Sequence, residues 1–543
     1  MDEHDKEPKM KRFSSYGPID TDVHYYAPRK ELIDKAYTRV VGENPDKGGH
    51  YITVWAPRQC GKSWIMMEVL KKIEQSQGFH AVNVDLEHLK SVTDIQRIVS
   101  AITRDISREL HLTIPPIDTL EEFQEVFTRG VLEKPLALIL DEFDALGEEA
   151  INGLVGVFRN IYMRRKKELR KPQKDRWYML HGVALIGVRS VLGIENEKGS
   201  PFNVQQSLHI PNLTYDEVKE MFLCYEKESG QEIEPSVIEK LYKETAGQPG
   251  LTCWLGEILT EGIESYLNDT SKPIRLADFE NIYRLAVNIL PNNNILNIIS
   301  KAKTKPYSNT AINLFKTDKP VKFRFDDMEI NYLYMNGVIE PDTITGDDSY
   351  VKFASPFVQK RLFNYFSGEI FKEMGQLVDS FFLVKEVIFP DHLDIPGILK
   401  LYQTYLEKNK TWLFKNCPRR SDMRLYEAVF HFNLYAYLDE LLRGKNIRIF
   451  PEFPTGNGKI DLHIQYDQMT YGIELKSFTD LAGYRSALEQ AARYGSRLGL
   501  RDIFLVSFIE TIDEENKKKY ETPFQDPEVS ATVHPFFIQT GRP

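Results

Sequence analysis

The sequence predicts an α/β chain of several domains, and three stretches carry that prediction. Residues 49–75 read as strand, loop and helix, residues 136–144 as a buried strand ending in acids, and residues 425–508 as a second, separate α/β pattern. At 543 residues the chain exceeds a single hydrophobic core and should hold roughly three domains. A net charge of -10 argues against a protein that coats nucleic acid through overall charge, while leaving room for a local basic groove. Four scattered cysteines without C-x-x-C pairs read as reduced thiols in a cytoplasmic protein and argue against zinc. The charged amino terminus lacks the apolar segment of a signal peptide, and the absence of any run of about eighteen apolar residues argues against membrane insertion.

In the first stretch, Tyr51, Ile52, Thr53, Val54 and Trp55 form a β-branched and aromatic run, and Ile65, Met66, Val69, Leu70 and Ile73 follow at helical spacing. Between them stands Pro57-Arg58-Gln59-Cys60-Gly61-Lys62-Ser63. In such a P-loop, consecutive backbone N–H groups curl around a β-phosphate that faces the N-terminus of the next helix. Gly61 allows the close approach, Lys62 reaches the β- and γ-phosphates, and the Ser63 hydroxyl binds Mg²⁺. Ala56 occupies the position of the motif's usual first glycine, so the loop by itself also suits a solvated turn. The second stretch decides between them. Leu136 to Leu140 is uninterruptedly apolar and runs into Asp141-Glu142-Phe143-Asp144, as a buried parallel strand does when it delivers acids at its carboxyl end, where open α/β sheets hold ligands. Asp141 is expected to hold the Mg²⁺ from its outer coordination sphere, and Glu142 to orient the attacking water.

The remaining elements of this half follow in order. Residues 1–22 read as a polar tail. Tyr25 to Leu32 leads into a helix, where Arg29 is either a nucleotide contact or a plain helix start. His80 to Leu86 is a strand and Val92 to Leu112 an amphipathic helix. The helix from Ile151 continues into Arg164, Arg165, Lys166, Lys167, Arg170, Lys171, Lys174 and Arg176, either a solvated helix end or a contact for nucleic acid or a partner. A strand from Tyr178 to Val188 ends at Arg189, placed to sense a γ-phosphate or to form a structural salt bridge. A short strand lies within Leu208 to Leu213, and Thr214 with Glu217 forms a capping box that opens a helical region. Thr245 to Gly250 is a turn between helices of a lid. The core is thus assigned to residues 23–213 and the lid to 214–289.

Together YYAPRKEL, APRQCGKS, LILDEFDAL, IGVRS, SPFN and TAGQPG resemble the AAA-like ATPases related to the STAND and archaeal ATPase groups, over about residues 22–270. The resemblance implies a P-loop sheet of the ASCE or RecA-like kind, ATP bound with Mg²⁺ by the loop from Pro57 to Ser63, a sensing arginine matching Arg189, and a turn at Gly247 to Pro249 that moves with nucleotide state and brings Pro249 to the nucleotide. Ala56 fits this group, whose members often carry A-P-R there.

Residues 290–394 change character. Ile330 to Ile339 reads as helix, turn and strand, Asp347 to Phe353 as a returning strand, and Ser355 to Phe366 as a helix. This order suits a winged-helix-like segment, for binding or for packing alone.

From residue 395 to 543 a further domain is expected. Leu425 to Leu442 is a helix bearing Glu427, Ile447 to Phe453 and Gly458 to Ile464 form a strand pair, Tyr471 to Ser477 is the next strand, a helix from Tyr484 to Gly495 carries Gln490, and Asp502 to Phe508 is a last buried strand. Asp461 and Glu474 on neighbouring strands can meet at one divalent cation, and Lys476, two residues on, shares the face of Glu474. Oxygen ligands and an ammonium in that arrangement suit metal-assisted phosphodiester hydrolysis, with Glu427 completing the site. The bland alternative is an amphipathic hairpin with solvated charges. The arrangement resembles the PD-(D/E)XK nuclease superfamily over about residues 420–510, its E, D and E-x-K elements matched by Glu427, Asp461, Glu474 and Lys476, and Gln490 matching a glutamine on the helix that follows. Ile460 stands where that pattern carries proline. The resemblance implies a restriction-endonuclease-like α/β domain using Mg²⁺ or Mn²⁺.

The sequence therefore points to an ATPase coupled to a metal-dependent nuclease, with DNA preferred to RNA as its nucleic acid, homo-oligomerisation open, and defence against foreign DNA as the setting. The alternative is a signalling or scaffold ATPase whose nuclease-like domain only binds.

Overall fold

Five short segments pair in parallel to form the first sheet: β1 (Tyr51–Trp55), β2 (His80–Asp85), β3 (Leu136–Asp141), β4 (Leu180–Gly187) and β5 (Gln206–His209), in the order β2-β3-β4-β1-β5. The computed structural model describes residues 10–187, 206–263, 266, 268–315, 321–342, 349–370, 387–415, 417, 425, 427–442, 447–451, 461–466, 469–527 and 529–541. Strands β1, β3 and β4 are buried along their whole length, which is why they read as continuous apolar runs rather than alternating ones. Side chains still alternate between faces. Leu136, Leu138 and Leu140 enter one core with α3 (Ile95–Glu109) and α5 (Glu148–Glu168), while Ala137 and Ile139 enter the other with α1 (Lys30–Val41) and α2 (Lys62–Gln75). A short helix, α4 (Leu120–Glu125), opens on a Thr119–Glu122 capping box. Because all five strands are parallel, the carboxyl ends of β1 and β3 share one edge, where Asp85 pairs in register with Asp141.

Over residues 214–289, the segment expected to form a lid, the described residues make four helices: α6 (Tyr215–Ser229), α7 (Pro235–Thr245), α8 (Pro249–Glu261) and α9 (Leu276–Asn288). The expected capping box holds, with the Glu217 N–H donating to Thr214 Oγ1 at 3.2 Å and the Thr214 N–H to Glu217 Oε2 at 2.8 Å. Residues 10–22 differ from a polar tail. Phe13 is 1% exposed and packs its ring on Tyr25, Phe222 and Tyr225, so one aromatic anchor among polar neighbours is enough to fold the segment onto the lid.

Most of the basic run stays at the surface, with Arg164, Lys167, Arg170, Lys171 and Lys174 exposed, but some of its members bond within the fold. Arg165 is buried, donating to the carbonyls of Leu180, His181 and Gly49 and lying over the rings of Tyr51 and Tyr162. Carbonyl dipoles and ring faces thus compensate a buried cation. Arg164 donates to the Tyr178 hydroxyl, Lys166 lies over Tyr162, and Arg176 donates to the Lys171 and Asp46 carbonyls.

The described residues fall into two compact units, Met1–Asn294 with Phe325–Gly337, and Ile295–Arg324 with Val338–Pro543. The segment expected as one winged-helix-like module contributes to both. Its helix α12 (Met328–Met335) belongs to the first, where Tyr334 meets the ring of Trp55 at 5.5 Å. Most of α10 (Asn293–Ala302), then α11 (Tyr307–Asn313), the antiparallel hairpin of β6 (Ile339–Asp342) and β7 (Tyr350–Phe353), and α13 (Pro356–Ile370) belong to the second.

The second unit also holds α14 (Ile395–Leu413), α15 (Glu427–Leu441), α16 (Leu481–Arg497), α17 (Glu514–Tyr520) and a six-stranded sheet in the order β12-β13-β11-β10-β9-β8. Its strands are β8 (Ile447–Pro451), β9 (Leu462–Tyr466), β10 (Met469–Ser477), β11 (Asp502–Ile509), β12 (Phe524–Gln525) and β13 (Thr532–Gln539). Strands β10, β11 and β13 run parallel, and α16 connects the first two, packing Tyr484, Leu488 and Ala491 over Ile503 and Leu505. Strand β11 is therefore not the last buried strand. The sequence hides β13 because Pro535 sits within it and proline argues against a central strand. Here β12 pairs only with Thr532 and Val533, so the stretch around Pro535 needs hydrogen bonds on one side alone. Among the described residues no helix is long and apolar enough to cross a membrane.

His181 gives the first unit an acid-sensitive point. It is buried with its Nε2–H donated to the Val41 carbonyl at 2.8 Å and its ring against Phe79, and burial first, then the charges of Arg165, His50 and Arg176, lower its pKa to about 4. The unfolded chain takes up the proton first, near pH 6.5. Stability is therefore full above that pH and is lost as pH falls towards 4, by about 3 kcal/mol for a gap of about 2.5 pH units. Urea unfolding at pH 7 and pH 4.5 should show His181→Gln losing about 2–3 kcal/mol less than the wild type between the two; equal losses would mean the imidazole is not the acid-sensitive group.

Candidate functional site

The loop between β1 and α2 bends at two left-handed residues, Gln59 at φ 57° and Gly61 at φ 82°. A Cβ on Gly61 would meet no atom within 4 Å, so the loop faces open space at that point. Lys62 is buried with its ammonium turned back on the loop, donating to the carbonyls of Ala56 at 3.0 Å and Pro57 at 3.1 Å. The Ser63 hydroxyl comes close enough to the Asp141 carboxylate to favour its charged form. Strand order puts β4 between β1 and β3, yet the two motifs touch because each leaves the same edge of the sheet.

Burial is the main influence on Asp141 and raises its pKa; the Ser63 hydroxyl, the Glu142 N–H at 2.9 Å and the Lys62 charge oppose it, and Asp85 adds to it. Glu142 is also raised, by burial first and by Asp144 next, against the charges of Lys62 and Arg58. It stands at φ 50°, an unfavourable conformation for a residue with a Cβ, of the kind that collects at functional sites. A hydroxyl, two carboxylates and an ammonium, gathered beside an open cradle of backbone N–H groups, fit a triphosphate with Mg²⁺.

Arg29 takes a structural part. Its guanidinium is nearly buried, pairs with Glu217 Oε1 at 3.2 Å and donates to the carbonyls of Pro211 at 2.9 Å and Asn212 at 3.2 Å. Pro249 is the first residue of α8, and its neighbours reach the loop directly: Gln248 Nε2 donates to the Arg58 carbonyl at 3.1 Å, and the Gly250 N–H to the Gln59 carbonyl at 3.1 Å. The sequence marks that turn, but nothing in it marks Gln248 as the bridging residue. Cys60 is buried, and burial raises its thiol pKa. Arg189 lies outside the described residues.

Residues 14–261 match the family model of the AAA-like domain. This segment is an AAA-like P-loop ATPase domain. Solved structures that the chain resembles include the Walker-type ATPase of Pyrococcus abyssi, at 14% identity over 64% of this chain and 99% of that one with a TM-score of 0.44. Cdc6p of Pyrobaculum aerophilum overlays at 13% identity, 64% and 95% coverage and a TM-score of 0.35. The ORC1 protein of Aeropyrum pernix, solved in complex with DNA, overlays at 16% identity, 62% and 92% coverage and a TM-score of 0.31. At these scores the overlays transfer neither ligand nor role. No curated protein matches the chain.

The second candidate cluster lies in the second unit. Leu462 pairs with Ile473, so Asp461 and Glu474 follow at the same end of β9 and β10. Both are nearly buried, at 6% and 2% exposure. Asp461 Oδ2 accepts the Leu475 N–H at 2.6 Å, Glu427 at the start of α15 accepts the Ser477 N–H, and Glu474 Oε1 lies 3.6 Å from Lys476 Nζ. These four sequence-predicted residues are thus brought together, whereas Gln490 donates to the Tyr494 hydroxyl of its own helix at 2.5 Å. His431, one turn after Glu427, was not singled out from sequence; it is buried with Nε2 3.1 Å from the Asp461 carbonyl. The donors are hard oxygens suited to Mg²⁺. Among the described residues, however, no three His, Cys, Asp or Glu side chains are grouped to hold a metal ion.

The two readings of Arg29 separate in solution. Arg29→Ala should lower the unfolding free energy by about 2 kcal/mol, the scale of charged hydrogen bonds, while the folded variant keeps its nucleotide affinity within about twofold. A tenfold loss of affinity without loss of stability would return Arg29 to the nucleotide.

Proposed function

We propose that the chain hydrolyses ATP in its AAA-like domain and couples that cycle to a magnesium-dependent nuclease in its second unit, with DNA as substrate. The ATPase part is supported by the approach of Ser63 to Asp141 beside Lys62 and Glu142. Lys62 would exchange the Ala56 and Pro57 carbonyls for β- and γ-phosphate oxygens. Ser63 and Asp141 would hold the cation, and Glu142 would orient the water for in-line attack. Bound Mg²⁺ neutralises charge that develops on the phosphates.

The observation that carries the nuclease part is the gathering of Glu427, Asp461, Glu474 and Lys476 at one end of the β9–β10 pair. Asp461 and Glu474 would supply the metal's oxygen ligands and Lys476 a charge for the scissile phosphate; a divalent cation there polarises the phosphate and a water. The second reading, a signalling or scaffold ATPase with a non-catalytic binding domain, is favoured by the absence of a three-ligand group among the described residues.

Cleavage of supercoiled and linear DNA, with Mg²⁺ or Mn²⁺ and with or without ATP, separates the two. Cleavage should fall about 100-fold or more in Lys476→Ala, and Lys62→Ala should change its dependence on ATP. Glu142→Gln should retain ATP and lose hydrolysis by about 100-fold, the usual scale for a proton-handling residue. ATP turnover with no cleavage under any of these conditions would establish the second reading instead.

A further inference from the structure

We propose that Gln59 is a positioning residue for the nucleotide, holding the P-loop in its receptive shape by fastening it to the lid and to the amino-terminal segment together. The inference rests on the ATPase reading and goes beyond it in naming what shapes the loop. A nest of N–H groups faces a phosphate only while the intervening carbonyls point away from it. Four consecutive carbonyls of this loop have donors. Those of Ala56 and Pro57 take theirs from Lys62, which leaves them when it turns to a phosphate. Those of Arg58 and Gln59 take theirs from the lid: Gln248 Nε2 reaches them at 3.1 and 3.3 Å, and the Gly250 N–H reaches Gln59 at 3.1 Å. The lid's bonds therefore keep the loop in shape once Lys62 has moved.

Gln248 is itself fixed, since its Oε1 accepts the Leu251 N–H at 2.5 Å and caps α8. The Gln59 side chain closes the circuit on the other side. Its Nε2 donates to the Ser15 carbonyl at 3.3 Å, while Ser15 Oγ donates to Glu257 Oε2 of α8 at 3.2 Å. Two features show that the side chain is held in place. Gln59 stands at φ 57°, a conformation that a residue with a Cβ leaves unless its surroundings hold it. Its Oε1 is buried without a hydrogen-bond partner, an unfavourable state, and lies 2.4 Å from where a Cβ on Gly250 would stand. Glycine at 250 is what makes room for the latch.

The test is titration of the full chain with a fluorescent ATP analogue and Mg²⁺, alongside thermal unfolding, for wild type, Gln59→Ala, Gly250→Ala and the double variant. Gln59→Ala should bind about three- to tenfold more weakly, the scale of one net hydrogen bond, with Tm nearly unchanged. Gly250→Ala should lose both affinity and Tm because its methyl displaces Gln59. The double variant should recover part of the lost Tm, because the Oε1 contact is gone while the Cβ of residue 59 stays 2.7 Å from the new methyl, and it should keep the weak affinity of Gln59→Ala. Wild-type binding with unaltered Gln59→Ala affinity, or a double variant that recovers both properties, would overturn this role alone. A wild type that binds no nucleotide would overturn the ATPase reading with it.

Discussion

The approach of the Ser63 hydroxyl to the Asp141 carboxylate is the contact on which the first unit depends for chemistry. It joins two motifs far apart in the chain, and it exists because β1 and β3 are parallel members of one sheet and end at one edge. An antiparallel arrangement would send the two motifs to opposite ends. Parallel sheets must be covered on both faces, so the two cores that sandwich β1, β3 and β4 are the condition for that meeting. The same burial raises the pKa values of Asp141 and Glu142, leaving two carboxylates that favour a cation close by.

Backbone strain is distributed accordingly. Of the non-glycine residues with positive φ among the described residues, Gln77 and His111 lie just past the ends of α2 and α3, while Arg29, Gln59, Glu142 and Ala246 surround the loop, the acids and the lid turn. Three of these four are fixed by tertiary bonds: Arg29 has Glu217 and two carbonyls, Gln59 has the lid, and the Ala246 carbonyl has Asn212 Nδ2 at 3.1 Å, while the Glu142 N–H is held locally by the neighbouring Asp141 carboxylate. Strained conformations persist where surroundings over-determine them, and here the surroundings are the walls of the site.

The legible part of the structure is the part written in local pattern. Strand β3 announces itself because burial on both faces forces an unbroken apolar run, and Thr214 with Glu217 announces α6 because a cap is a local bond. The hairpin that brings Asp461 beside Glu474 shows in period-two spacing. What escaped depends on contacts between distant residues. Phe13 is one aromatic side chain in a polar stretch, and its burial is decided by Phe222 and Tyr225. Arg165 sits in a run of like charges whose pattern says surface, while its position on α5 turns it against Tyr51. Strand β13 carries a proline whose harmlessness depends on how little of its length β12 covers. Gln248 and His431 are ordinary polar residues until the loop or strand they brace is in place.

Both candidate sites settle buried carboxylates in the same way, by main-chain N–H groups at strand ends: Glu142 N–H for Asp141, Leu475 N–H for Asp461 and Ser477 N–H for Glu427. Such bonds stabilise the charged form and hold its orientation. They also occupy lone pairs, so a cation entering either cluster must bind through oxygens that remain. The AAA-like domain leaves room for this, because Ser63 is exposed and the space beside Gly61 is open. In the second unit Glu474 and Asp461 are nearly closed off and Lys476 already faces Glu474. A cation there has to compete with an ammonium in a site of low dielectric, where that pairing is stronger than in water. Under the proposed nuclease reading, a cation at Asp461 and Glu474 would either share Glu474 with Lys476 or displace the ammonium from it.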